Sequence, residues 1–292
     1  MQMNTPPPPE GMRFSDSPDF RPYDKRQLSY AHTFDSKPKQ IVIRALEWMT
    51  GKLRLLNRIR RFEQSEKVSG QAFWPKALAS MGIDLLTPDD QIARIPATGP
   101  LIVVSNHPHG LVDGMVMAEL IGRVRTDYKI LTRSLLANIQ EVTEFMIPVP
   151  FAHEPDSLQK GLEMRNEAMG VLANGGVIVL FPAGAVANSA GWFGRAVEHE
   201  WHPFTAKMIL KSGATVLPIY FPGQNSRAYQ IACHLSPTLR QGMLVHEVAY
   251  ALDKPQAPVI GEPFSREEIA KWSSNPRGFM EWLRERTLAL GK

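Results

Sequence analysis

Four short apolar runs, each ended by a polar or Pro/Gly turn, constrain this chain more than any other feature. They fall at 101–104, 128–132, 176–180 and 215–221 and are rich in Val, Ile and Leu. Runs of this length, bounded by turn residues, are what strands buried on both faces look like. Between them lie stretches of helical character, at 115–124, 134–146, 157–173 and 203–211. Alternating strands and helices predict an α/β fold whose mixed, mainly parallel sheet is covered by helices on both faces.

The first run feeds the richest turn. After Val104 the chain reads Ser-Asn-His-Pro-His-Gly-Leu-Val-Asp-Gly, delivering Asn106, His107, His109, Gly110, Asp113 and Gly114 in ten residues. A neutral imidazole takes a proton from a hydroxyl at neutral pH, and a carboxylate on its other nitrogen fixes the tautomer and stabilises the cation that forms. The turn between His107 and Asp113 is long enough for the chain to fold back and join them. His107 with Asp113 is therefore the candidate acid/base pair, with His109 as the alternative base.

Three later blocks keep the same order: a strand at 128–133 ending in Arg133, the turn Phe181-Pro182-Ala183-Gly184 after the run 176–180, and a strand containing Pro218. On these residues the chain resembles the glycerolipid acyltransferase family, more closely its hemolysin-like bacterial branch, over roughly residues 70–264. The resemblance implies transfer of a fatty acyl group from a thioester of CoA or acyl carrier protein to a hydroxyl of a lysolipid or related acceptor. It implies no further cofactor, no metal and no covalent acyl-enzyme. His107 would be the base and Asp113 its support. Asn106, which also holds the turn, His109 and Gly110 would help bind substrate, Arg133 would bind an acidic headgroup, and Phe181, Pro182, Ala183 and Gly184, backed by Pro218, would form the acceptor pocket. Two departures stand out: five residues separate His107 from Asp113 where the common pattern has four, and Ala183 stands where the common turn carries Glu.

Two other functions fit parts of this pattern. A metal-dependent hydrolase would use His107, His109 and Asp113 as ligands, but Leu111 and Val112 occupy the positions where its remaining ligands belong. A non-catalytic, membrane-associated protein of the same fold would tolerate loss of His107 and Asp113.

Composition narrows the setting. With 292 residues and 43% hydrophobic content, the chain can build one large domain with an appendage. A net charge of +4 is mild for a nucleic-acid binder, and no nucleic acid is expected as partner; an anionic membrane surface fits. The single cysteine, Cys233, rules out an internal disulfide and suits a reducing cytoplasm. Residues 1–39 read as an extended or disordered arm. Residues 40–69 read as a basic amphipathic helical segment, with Val42, Ala45, Leu46, Met49, Leu53 and Leu56 on one face and Arg44, Arg54, Arg58 and Arg61 opposite. Trp48 suits a peripheral membrane anchor, and Gly51 is a place for the helix to split. Residues 70–292 form the acyltransferase-like domain. No secretory signal and no run of about 18 apolar residues is present, so the expected place is the cytoplasm, peripherally on the inner face of the cell membrane.

Elsewhere, 243–252 and 258–261 read as late strands, 265–268 as a capping box, and 279–290 as a terminal helix. Leu158, Leu162, Met169 and Leu172 read as the inner face of the helix at 157–173. The loop 185–201 is long enough to cover a binding site. His153, His199, His202, His234 and His246 lack a supporting pattern and read as structural or surface residues.

Overall fold

In the computed structural model, which describes residues 29–33, 36–65, 67–132, 140–150 and 156–292, a six-stranded sheet forms the centre. Among the described residues there are eight strands: β1 (Leu101–Ser105), β2 (Tyr128–Thr132), β3 (Met146–Pro148), β4 (Val177–Leu180), β5 (Asn188–Ser189), β6 (Ala196–Val197), β7 (Thr215–Tyr220) and β8 (Val259–Ile260). Six of them lie in the order β3-β2-β4-β1-β7-β8, while β5 and β6 form a separate antiparallel pair. All neighbours in the large sheet run parallel except β8, which is antiparallel to β7. The mixed, mainly parallel sheet expected from the apolar runs is the one observed.

Every residue of β1 and β4 is buried, and alternate residues feed two separate cores. Leu101, Val103, Val177, Val179, Leu217 and Ile219 face one side. There they pack on α2 (Lys52–Glu63), α3 (Phe73–Ser80), α5 (Leu111–Gly122) and α10 (Leu244–Ala251). Ile102, Val104, Ile178, Leu180 and Val216 face the other side, against α6 (Ser157–Ala173), α7 (Pro203–Ser212) and α12 (Pro276–Ala289). The remaining helices are α1 (Lys37–Met49), α4 (Asp89–Ile92), α8 (Arg227–Leu235), α9 (Pro237–Gly242) and α11 (Arg266–Ala270).

The two ends of the sheet are built differently. At the ends where β1 and β4 begin, buried Arg125 donates to Asp127, to Gly99 O and to Gly175 O, locking the loops together. At the opposite end the strands open into the turns at 106–110, 181–184 and 221–226. Pro218 is tolerated in β7 because β8 spans only two residues beside it, and the Pro218 carbonyl still accepts from Gly261 N–H at 2.9 Å.

Several local expectations are corrected. The stretch 243–252 is helix α10, not a strand: Val245, Val248, Ala249 and Leu252 are buried at helical spacing, and that one face decides the conformation. On α6, Ala168 and Leu172 are buried, whereas Leu158 and Leu162 are exposed. Of the stretch 134–146, the described part is a 3-10 turn (Gln140–Phe145) followed by β3, a strand the sequence did not suggest because Pro148 ends it. Arg133, His153 and most of the segment 1–39 lie outside the described residues. The split at Gly51 is present between α1 and α2, and Ser265 with Glu268 closes a full capping box on α11.

Helices α1 and α2 differ from the expected amphipathic plan in which face is inward. Ile43, Leu55 and Leu56 are buried, together with an ion pair between Glu47 and Lys52 at 3.2 Å. Val42, Met49 and Leu53 are exposed, joined by Ile41 and Trp48. Among the described residues, no helix is long and apolar enough to cross a membrane.

Candidate active site

The site grows from the turn after β1. Asn106 anchors it: its Nδ2 donates to Phe221 O at 2.9 Å and its Oδ1 accepts from Phe221 N–H at 2.8 Å, tying the end of β1 to the end of β7. Gly110 then turns the chain into α5 with φ 69° and ψ −128°, a conformation that a side chain would strain. This sharp entry sets Asp113 in the first turn of α5, where the helix N-terminus favours an anion.

Asp113 is fully buried and meets two imidazoles. Its Oδ2 lies 3.0 Å from His107 Nδ1 and also accepts from His109 N–H at 2.9 Å. Its Oδ1 lies 3.0 Å from His109 Nδ1. Burial by itself would raise the Asp113 pKa; the charge of His109 and hydrogen bonds from both rings outweigh that and hold it below the ordinary carboxylate value. An ionised carboxylate only accepts, so both rings present Nδ1–H to it, and in a neutral ring the lone pair is left on Nε2. For His109, burial works to lower the pKa, but the charge and hydrogen bond of Asp113 hold it above the ordinary histidine value.

His107 is further fixed from three directions. Its ring stacks on Phe181, centroids 4.0 Å apart and planes 21° from parallel. Its backbone N–H donates to Glu198 Oε2 at 3.0 Å, and its carbonyl accepts from Ala187 N–H at 2.9 Å. Glu198 is buried, accepts from the Trp201 indole at 3.0 Å, and has its pKa pushed up by burial, an effect its hydrogen bonds only partly oppose. Sequence reasoning did not single out Glu198, and nothing in the sequence separates it from exposed Glu200.

The two imidazoles open on different spaces. His107 lines a cavity of about 670 Å³, together with Gly110, Gly114, Ile130, Leu180, Phe181, Pro182 and Gly184. His109 lines a smaller one of about 320 Å³ with Gly223, Glu247, Tyr250 and Lys254. The turn 181–184 thus contributes three of its four residues to the larger cavity. Ala183 is buried, and Asn106 and Pro218 sit in the frame behind, not in the cavity lining. The loop 185–201 does border the cavity, through Ala185 and Val186. His202, read from sequence as structural, also lines it. Among the described residues, no group of three or more His, Cys, Asp or Glu is arranged to hold a metal ion.

Comparison with known proteins adds a second line of observation. A family model described as acyltransferase matches residues 69–250, more than half of the chain. A protein of Phocaeicola vulgatus named lyso-glycine lipid O-acyltransferase is 26% identical over 136 residues, 46% of either chain. One of the same name from Bacteroides thetaiotaomicron is 24% identical over 141 residues, 46% of this chain and 47% of that protein. The matched stretch spans about half the length of these curated relatives. Among solved structures, the crystal structure of the 1-acyl-sn-glycerophosphate (LPA) acyltransferase PlsC from Thermotoga maritima aligns over 89% of this chain and 83% of that one, with a TM-score of 0.48 and 14% identity.

Proposed function

The chain belongs to the acyltransferase family, and from that premise we propose that it moves a fatty acyl group from a CoA or acyl carrier protein thioester to a hydroxyl of a lysolipid. The observation that carries this is the placement of His107, held between Asp113 and Phe181 in the wall of a largely apolar cavity. The names of the two curated relatives support a lysolipid acceptor and an ester product.

In this mechanism the acceptor hydroxyl is itself the nucleophile. As its oxygen attacks the thioester carbonyl, His107 Nε2 takes the proton and Asp113 stabilises the imidazolium through Nδ1. Collapse of the tetrahedral intermediate breaks the C–S bond, and the imidazolium returns the proton to the leaving thiolate. Atoms and charge balance without a covalent acyl-enzyme. Gly110 and Gly114, lacking side chains, leave the floor beside His107 open to the reacting groups.

The exposed side chains of Ile41, Val42, Trp48, Met49 and Leu53 support a peripheral membrane surface. Helix α1, which carries most of them, packs against α9 and against the turn holding Tyr30, and Tyr30 and Arg240 both line the cavity. A lysolipid in the leaflet that this surface contacts would then meet the cavity directly. The test is turnover with purified protein, a long-chain acyl-CoA or acyl carrier protein, and a hydroxyl-bearing lysolipid. Ester formation that His107→Ala removes supports the proposal; ester formation undiminished in His107→Ala overturns the role of that ring.

A further inference from the structure

Among the described residues, a single permanent charge borders the larger cavity, and it is positive. His107, His202 and Arg240 border it, and no Asp or Glu does among the described residues. Arg240 takes part in no ion pair among the described residues. A guanidinium beside an apolar cavity without a carboxylate is a receptor for an anion supplied by something else.

The position of Arg240 says which substrate that is. Ile130, Leu131, Met164, Leu180 and Phe204 reach the cavity from β2, β4, α6 and α7. Tyr229, Arg240 and Gln241 reach it from α8 and α9, which follow β7. In the sheet, β2 and β4 lie on one side of β1 and β7 on the other, with the turn carrying His107 between them. The cavity therefore has an end rich in apolar side chains, with Thr132, His202 and Thr205 among them, an imidazole at the middle, and a cationic, hydrogen-bonding end beside α1. A lysolipid has the same sequence of parts: acyl chain, free hydroxyl, headgroup.

Resting on the acyl-transfer proposal above, we infer that Arg240 is a specificity-determining residue that holds an anionic headgroup, a carboxylate or a phosphate, on the lysolipid acceptor. A charge-assisted, bidentate contact of this kind corresponds to about 10- to 100-fold in affinity. Neutral or cationic headgroups gain nothing from Arg240, which is exposed and stays solvated beside them.

Equilibrium binding to the full chain tests this without requiring turnover. Four lysolipids of one chain length would be titrated below their micelle concentrations: a carboxylate, a phosphate monoester, a choline zwitterion and a neutral monoglyceride. Wild-type protein is expected to bind the carboxylate or the phosphate about 10- to 100-fold more tightly than the monoglyceride, and the better of the two identifies the natural anion. Arg240→Gln should erase that preference while leaving monoglyceride binding and the KM for acyl-CoA unchanged. Arg277→Gln, which removes an exposed charge from α12, should preserve it. An anion preference that survives Arg240→Gln, or a rise in the acyl-CoA KM alone, overturns the inference. Anion-selective binding through Arg240 in a protein that forms no ester with any acceptor would instead refute the acyl-transfer proposal and leave the anion site standing.

Discussion

One carboxylate serves two imidazoles at the same 3.0 Å distance, yet their surroundings diverge. His107 stacks on Phe181 and borders the larger, mostly apolar space. His109 sits against Gly223, where an added Cβ would lie 3.2 Å from its Nε2, and faces a smaller space lined by Glu247 and Lys254. Identical hydrogen bonds to Asp113 do not make the two rings equivalent. What separates them is the space each ring borders, so the proposed assignment of roles rests on access more than on basicity.

Four substitutions test that asymmetry, from the strongest effect down. His107→Ala should lower kcat by about 10² to 10⁴ with little change in thermal unfolding, since general base catalysis commonly contributes on that scale. Equal losses for His107→Ala and His109→Ala would break the comparison. Asp113→Asn should cost about 10² in kcat and destabilise the fold by about 1–3 kcal/mol, because both rings lose their shared acceptor deep in the protein.

His109→Gln should cost roughly tenfold at most, as one hydrogen bond to the second carboxylate oxygen is lost. Its signature is pH-dependent stability. The raised pKa of His109 stabilises the fold below its unfolded value of 6.5, and the benefit fades as pH rises through the folded value. The depressed pKa of Asp113 stabilises above 3.8, and that fades as pH falls through its folded value. The stability gap between wild type and His109→Gln, read by thermal unfolding, should be widest between these limits and narrow on either side. Gly223→Ala should show the smallest catalytic effect, within about twofold. Its φ of +90° and the nearby His109 ring should cost about 1–3 kcal/mol of stability. A large fall in kcat for Gly223→Ala would mean that the second cavity takes part in the chemistry.

The sheet was legible because β1, β4 and β7 are buried on both faces and so carry uninterrupted apolar runs. The pairing of His107 with Asp113 was legible because both residues sit in one turn. Contacts that arrive from far along the chain were not. Glu198 reaches His107 across 91 positions from a loop with no periodic pattern. Arg240 reaches the cavity from α9, where a lone cation in a polar stretch looks like any surface arginine. Helix α10 misled for a different reason: Val245 and Val248 are β-branched, and their preference for strands yields to the burial of one helical face. The shared grip of His109 on Asp113 was hidden by the turn itself, since an i, i+4 spacing signals a contact only once the helix start is known.

The double link between Asn106 and the backbone of Phe221 has a consequence for how the site behaves in time. Both polar groups of one peptide position end on a single side chain, so the amide proton of Phe221 can be released to solvent only when β1 and β7 come apart. In hydrogen exchange that proton should persist as long as the slowest in the sheet. Asn106 thus roots the imidazole turn in the sheet, while Glu198 and Ala187 tie His107 to the loop 185–201, so any displacement of that loop would be felt at the ring.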